Sequence, residues 1–177
     1  MCPIASSPSI FWPVRPVWQL DPLHPIPEKE RRTSCAVATA KMLLDHLRPD
    51  CGPDFPFHVV RDCLLLAGGK DTVGHWRHAA QVRFLSSLGL VAWRRNWDAP
   101  TQDPQWLADH EAYSPEQLSA IRSQIAAESA LIPADRPWHS LKAALLASGP
   151  VIASVRPGFT SNRQNHQVLI HGCRDDG

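Results

Sequence analysis

Hydrophobic positions along this chain follow two patterns, one typical of buried helices and one typical of β-strands. Residues 35–47, CAVATAKMLLDHL, are apolar on nearly every side of a helix. Ala, Leu and Met favour helix, and a helix that is apolar nearly all round is a buried one. The pattern therefore predicts a central helix, capped by Thr33 or Ser34, that carries Cys35 in its first turn.

Further helices are predicted where apolar residues recur every three or four positions. Three of them, over 57–69, 75–89 and 138–148, are each closed by glycine. A fourth begins at a capping box with proline in its first turn, Ser114-Pro115-Glu116-Gln117. Its inward face is expected to consist of Leu118, Ile121 and Ile125.

Alternating apolar residues near the end of the chain predict two β-strands, VIASV from 151 and HQVLIHG from 166. In the second strand His166, Val168 and Ile170 are expected to face inward. LVAWRRNW, residues 90–97, also predicts a strand, and residues 98–113 predict a polar loop. Helices first and strands last indicate an α+β domain with an antiparallel sheet packed on helices.

The first 27 residues differ in composition from the rest. They hold seven of the chain's 17 prolines, and such spacing excludes a helix and interrupts a central strand. We expect residues 1–27 to form an extended arm whose apolar side chains lie across the surface of a single domain, residues 28–177. A strap that binds a partner is the alternative.

Charge and cysteine content exclude several classes of function. Lys and Arg number 18 against 17 Asp and Glu, which provides no basic surface for nucleic acid or anionic lipid. No apolar run is long enough for a membrane span, and the first residues lack a signal-peptide pattern. The five cysteines are an odd number without a Cys-x-x-Cys pair, which argues against disulfides and zinc and favours a cytoplasmic location.

Cys35 and His166 are the strongest candidates for chemistry. A cysteine at the start of a helix lies at the positive end of the helix dipole, which favours the nucleophilic thiolate. Such a nucleophile needs a base, and His166 lies far along the chain on the inward face of a predicted strand. The alternative interpretation of Cys35 is a small apolar residue of the core, and that of His166 is a histidine with a structural role. His171 falls on the opposite face, and His75-x-x-His78 is interpreted as an exposed helix face rather than a metal site.

Two blocks resemble a known family. SCAVATAKMLL resembles the nucleophile helix of the bacteriocin-processing peptidases, cysteine peptidase family 39 of the papain-like superfamily. LKAALLASGPVIASV and NHQVLIHGCRDDG resemble the strand region that carries the family's catalytic His. The resemblance implies a papain-like fold and a bacterial hydrolase that cuts a peptide or protein substrate through a thioester. Cys35 is then the nucleophile and His166 the general base, with no metal or organic cofactor.

The chain departs from the family where the oxyanion is stabilised. The family has a Gln five or six residues before the Cys, whereas Lys29 and Glu30 stand there in this sequence. Lys29, or Gln19 if the arm folds back, is the candidate side-chain donor beside the Cys35 backbone N–H.

A second departure concerns the Asp or Asn that orients the His. Asp175 and Asp176 are the acidic residues that follow His166, and both fall at an expected turn, so the orienting strand is expected to be missing from a truncated domain. A catalytically silent binding or scaffold module is therefore one alternative. An amidase of the NlpC type or an acyltransferase is another, and the oligomeric state stays open.

Overall fold

The computed structural model of the chain describes residues 9–72, 74–94, 104–111, 113–130, 137–155 and 166–173. They form the α+β structure that the sequence predicts, with helices followed by the antiparallel pair β2–β3, and with a first strand, β1, that pairs with the last one, β4. In chain order the elements are β1 (Ile10–Phe11), α1 (Glu28–Arg31), α2 (Cys35–Leu47), a 3-10 turn (Gly52–Asp54), α3 (Phe57–Leu66), α4 (His78–Ser87), α5 (Pro104–Asp109), α6 (Pro115–Ala130), α7 (Pro137–Ser148), β2 (Val151–Val155), β3 (His166–Ile170) and β4 (Gly172–Cys173).

The central helix predicted from the apolar run is α2. Val37, Ala40 and Leu44 are fully buried, and α2 packs against α3, α4 and β3. Its side chains form the main core together with residues of the neighbouring helices, among them Val60, Leu64, Ala80 and Phe84. An apolar cylinder of this kind needs neighbours on several sides, and the fold supplies them.

The prediction that Thr33 or Ser34 caps α2 is wrong. Both hydroxyls donate to the carbonyl of Glu30, at 3.1 Å from Thr33 and 2.6 Å from Ser34, and so bond the end of α1 instead. Ser34 occupies the cap position, but its side chain makes no capping hydrogen bond. The N–H groups of the first turn of α2 are therefore not satisfied by a cap side chain.

The helix predicted from residue 75 begins three residues later, at His78. The preceding residues close a tight turn, in which Lys70 pairs with Trp76 and the N–H of His75 donates to the Asp71 carboxylate at 2.8 Å. Local hydrogen bonds from an Asp side chain compete with helix in this way. His75 and His78 therefore do not share a helix face, contrary to prediction.

The strand predicted over 90–97 is absent from residues 90–94, while 95–97 lie outside the described residues. Side chains, not a neighbouring strand, bind this backbone: Tyr113 Oη contacts both the N–H and the carbonyl of Ala92, and His110 Nε2 accepts from the N–H of Arg94. Both residues follow the short helix α5, which lies within the predicted loop 98–113 and corrects that prediction. Trp106 of α5 is 2 % exposed and anchors a second small core.

Helix α6 begins as predicted. The Ser114 N–H donates to Gln117 Oε1 at 2.9 Å and the Gln117 N–H donates to Ser114 Oγ at 3.3 Å, which is the reciprocal pair of a capping box. Ile121 and Ile125 are buried on Trp106, as their spacing predicts.

The strands β2 and β3 form an antiparallel pair in which Ile152 opposes Leu169, Ser154 opposes Gln167 and Val155 opposes His166. Ile152 and Leu169 pack on the main core and Gln167 is buried. Because side chains alternate along a strand, His166, Val168 and Ile170 belong to the other face. The alternation was predicted, but the choice of the inward face was wrong.

The described residues of the Pro-rich segment, 9–27, contact the helices and strands that follow it. Ile10 pairs with Cys173, the indole N–H of Trp12 donates to the Leu145 carbonyl at 3.1 Å, and Ile26 is buried in the main core. Within the described residues, no helix has both the length and the apolar character that a membrane crossing requires.

Candidate active site

The candidate site is the start of α2, where Cys35 is the first helical residue. Its side chain is half-buried, so the thiol sits at the edge of the core rather than inside it. The helix runs for 13 residues and carries no side-chain cap. Uncapped N–H groups and the helix dipole favour negative charge here, whether on a thiolate or on an oxyanion.

The segment that leads into α4 runs alongside this helix end. Trp76 Nε1 donates to the Thr33 carbonyl at 2.6 Å, and Gln81 Nε2 donates to the Ala36 carbonyl at 3.1 Å. These two bonds fix residues 76–81 beside residues 33–36. His78 lies between Trp76 and Gln81 in the sequence, and its described hydrogen bond joins Ser154 of β2.

Gln81 is a buried amide at the same place, with 4 % of its surface exposed. Thr39 Oγ1 donates to the carbonyls of Cys35 and Ala36 and accepts from Gln81 Nε2 at 3.3 Å. Since the Ala36 carbonyl only accepts, these contacts fix which end of the Gln81 amide faces α2. Gln81 Oε1 is buried and has no hydrogen-bond partner among the described residues.

Among the described residues, a side-chain hydrogen bond joins the β2–β3 pair to α4. His78 Nε2 and Ser154 Oγ are 2.6 Å apart, and Ser154 opposes Gln167 in the register. Gln167 is 5 % exposed and its Oε1, like that of Gln81, has no partner among the described residues. The end of the strand pair that carries His166 is therefore tied to the first turn of α4.

Trp12 joins the C-terminal ends of α2 and β3. The backbone N–H of Trp12 donates to the His171 carbonyl at 2.7 Å, and the indole ring contacts the ring of His46 with centroids 5.9 Å apart. Trp12 therefore holds the last turn of α2 beside the end of β3.

His166 is the first residue of β3 and belongs to the strand face opposite to that of Gln167. It is half-buried, but no hydrogen bond links its ring to Cys35 Sγ in the described structure. The residue on the face that packs toward α2 is its neighbour Gln167.

The two side chains predicted to stabilise the oxyanion have different surroundings. Lys29 is exposed on α1. The arm does fold back, but Gln19 Nε2 donates to the carbonyls of Arg31 and Arg32, at 3.3 Å and 3.4 Å. Its donor capacity is directed to the end of α1.

The predicted acidic partners of His166, Asp175 and Asp176, lie outside the described residues. Within the described ranges, no three His, Cys, Asp or Glu side chains come together as metal ligands. The described residues therefore offer no ligand set for a metal at this helix end.

Two polar residues of α4, His78 and Gln81, were not predicted to belong to the site. Their spacing of three residues places them on one side of a helix, and this spacing is the sequence feature that could have indicated them. It was not recognised, because the helix was predicted to begin at residue 75 and His78 was interpreted together with His75. Only the turn closed by Asp71 moves the helix start to His78.

No protein-family model matches the sequence, and no curated protein or solved structure matches it either. Function is therefore inferred from the residues and their geometry.

Proposed function

We propose that the protein is a cysteine-dependent amide hydrolase with a papain-like arrangement, acting on a peptide or protein, in which Cys35 is the nucleophile. The observation that supports this most strongly is a half-buried thiol at an uncapped helix start, with the segment that leads into α4 bonded to the residues on either side of it. Helix starts and neighbouring imidazolium groups are the features that activate cysteines in proteins.

The reaction uses one water and needs no metal or organic cofactor. Cys35 Sγ attacks the carbonyl carbon of an amide, and its proton passes through an imidazole to the leaving nitrogen as the C–N bond breaks. The acyl group remains on sulfur as a thioester. Water then attacks the thioester, releasing a carboxylic acid and restoring the thiol. His166 is the imidazole that the sequence predicts for this proton transfer.

The oxyanion of each tetrahedral intermediate would face the backbone N–H groups at the start of α2. These groups have no side-chain cap, and they lie beside the sulfur that forms the new bond. Backbone N–H donors of this kind stabilise the charge because they are already oriented.

The test is hydrolysis of a peptide mixture by the intact chain, followed by mass spectrometry of the peptides and of the protein. Cleavage that is lost in Cys35→Ala and kept in Cys63→Ala supports the proposal. A protein mass increased by one acyl group, and returned to its original value by hydroxylamine, would identify the thioester. Equal cleavage by Cys35→Ala and the unmodified chain would contradict it.

A catalytically silent binding module remains the second candidate. The observation in its favour is that His166 lies on the strand face turned away from α2 and makes no hydrogen bond with Cys35 in the described structure. Such a module would cleave no peptide in the mixture and would form no acyl adduct at Cys35.

A further inference from the structure

We propose that Trp76 and Gln19 are positioning residues that keep the first N–H groups of α2 without hydrogen-bond partners and thereby keep Cys35 reactive. The inference rests on the proposed function and gives a role to two side chains, one from the turn before α4 and one from the Pro-rich arm. It follows from the donors that occupy the three carbonyls before α2.

The three carbonyls belong to residues 31–33, between α1 and α2. In an α-helix each N–H donates to the carbonyl four residues before it. If the helix continued unbroken from α1 into α2, these carbonyls would therefore accept from the N–H groups of residues 35–37. The next bond of the series does form, since the Ala38 N–H donates to the Ser34 carbonyl at 3.0 Å.

Trp76 occupies the last of these carbonyls. Its indole Nε1 donates to the Thr33 carbonyl at 2.6 Å, which is short for such a bond. The ring packs closely on Gly69, where an added Cβ would lie 2.8 Å from Cζ3 of Trp76. The Lys70 ammonium lies over the same ring, 4.9 Å from its centroid. These contacts fix the ring that carries the N–H.

Gln19 occupies the other two carbonyls. Its Nε2 donates to the carbonyls of Arg31 and Arg32, at 3.3 Å and 3.4 Å. The Arg31 carbonyl also accepts from the Ser34 N–H at 3.1 Å, so both of its lone pairs are engaged. Because the bonds from Gln19 are long, we expect its contribution to be smaller than that of Trp76.

The N–H groups of residues 35–37 consequently have no hydrogen-bond partner within the described part of the chain. Ala36 and Val37 are 0 % exposed, so bulk water does not reach their N–H groups. A buried N–H without a partner is unusual, and its partial positive charge stays unneutralised. That charge favours a negative sulfur on Cys35, which begins the same turn.

The hydroxyl groups next to this turn do not neutralise it either. Ser34 Oγ and Thr33 Oγ1 both donate to the Glu30 carbonyl, at 2.6 Å and 3.1 Å. Ser34 has a ψ of 28°, whereas a residue that caps a helix start is extended. The carbonyls and hydroxyls before α2 are thus all directed away from its first N–H groups.

Charged and titratable side chains on the neighbouring elements make contacts of their own. Glu30 of α1 pairs with Arg61 of α3 at 3.0 Å, and His78 of α4 lies 2.6 Å from Ser154 Oγ of β2. These contacts are present in the unmodified chain and do not involve the groups that the variants below remove. A change in Cys35 reactivity in those variants therefore reports the N–H groups of α2.

The experiment measures the rate at which iodoacetamide alkylates Cys35 in the intact, folded chain at pH 6 and at pH 9, by peptide mass spectrometry. Trp76→Phe keeps an aromatic ring and removes the N–H that occupies the Thr33 carbonyl. The Val37 N–H can then donate to that carbonyl, and we expect the rate at pH 6 to fall at least about threefold. At pH 9 the fall should be less than about 1.5-fold, because hydroxide ionises the thiol unaided.

Gln19→Met removes the second donor at similar side-chain size, and it should lower the rate at pH 6 by about twofold. The matched control is Trp106→Phe, which removes an indole N–H from the Arg94 carbonyl, 2.8 Å away in the second small core. Its rate should stay within about 1.5-fold of that of the unmodified chain at both pH values.

A rate of Trp76→Phe at pH 6 within about 1.5-fold of that of the unmodified chain would overturn the inference. An equal fall at pH 6 and pH 9 would overturn it too, because a loosened structure changes both rates. If Trp76→Phe does not fold, Gln19→Met decides, and an unchanged rate there has the same consequence. These outcomes leave the proposed function intact, which fails instead if Cys35 of the unmodified chain alkylates no faster than Cys51 at pH 6.

Discussion

Individual side chains explain why Cys35, rather than another cysteine, is the candidate nucleophile. Cys173 is 8 % exposed and pairs with the arm through its backbone. Cys51 and Cys63 are half-buried like Cys35, but neither begins a long helix. The position of Cys35 could be predicted from the sequence, because a cysteine at the start of an apolar helix can be recognised from neighbouring residues alone.

Cys63 provides a prediction about pH. Burial, with a smaller contribution from the Asp62 carboxylate, raises the pKa of the Cys63 thiol. In the alkaline range the unfolded chain therefore binds fewer protons at this group than the folded chain, and stability falls as the pH rises. Urea unfolding at pH 8 and pH 10 should show a larger loss of unfolding free energy for the unmodified chain than for Cys63→Ala. Equal losses would contradict the stated burial effect.

Among the elements, the segment 90–94 shows where sequence patterns stop being informative. Its alternation predicts a strand, yet Tyr113, His110 and Trp106 supply its hydrogen bonds from 12 to 21 residues away. Periodicity reports which side chains are apolar but not which distant groups will bind the backbone. By contrast, the capping box at Ser114 uses groups three residues apart and was predicted correctly.

Tyr113→Phe tests how much this segment depends on one hydroxyl. The change removes the bonds to the N–H and carbonyl of Ala92 and the contact with Ser86 Oγ, and it adds no bulk. Leaving these partners unsatisfied should lower the free energy of unfolding by about 1–3 kcal/mol, measured by urea unfolding. Val91→Ala, at an exposed neighbouring position, should cost less than about 0.5 kcal/mol. Similar costs for the two variants would show that the hydroxyl does not hold the segment.

The choice of inward face on β3 is a second limit at this scale. His166, Val168 and Ile170 look like the buried set by composition, whereas Gln167 and Leu169 face α2. Because side chains alternate, a one-residue error in the assignment exchanges the two faces of the strand. The sequence alone does not indicate that a Gln among apolar neighbours is buried. That exchange places Gln167, and not His166, on the strand face that packs toward α2.

Across the whole molecule, the arm, α2 and β3 form one connected unit. Trp12 contacts His46 at the end of α2, His171 after β3 and Leu145 on α7. The sequence predicted that the arm would lie on the domain, because its aromatic residues are too apolar for a free tail. It did not indicate which elements the arm would join, since two of those contacts, with Leu145 and His171, span more than 130 residues.

Trp12→Ala and Trp18→Ala form a matched pair that tests this role. Trp12 is half-buried and hydrogen-bonded, whereas Trp18 is 65 % exposed. We expect Trp12→Ala to lower the unfolding free energy by about 2–3 kcal/mol and Trp18→Ala by less than about 1 kcal/mol. Limited proteolysis should cut within the arm faster in Trp12→Ala alone. Equal proteolysis of the two variants would mean that Trp12 does not fasten the arm.

The most direct test of the central claim, an activated thiol at the start of α2, is competitive alkylation of the unmodified chain at pH 6. A limiting amount of iodoacetamide is added and the modified cysteines are identified by peptide mass spectrometry. We predict that Cys35 carries most of the label and reacts at least about tenfold faster than Cys51 or Cys63. Labelling of the three half-buried cysteines at similar rates would contradict the assignment of Cys35 as a nucleophile.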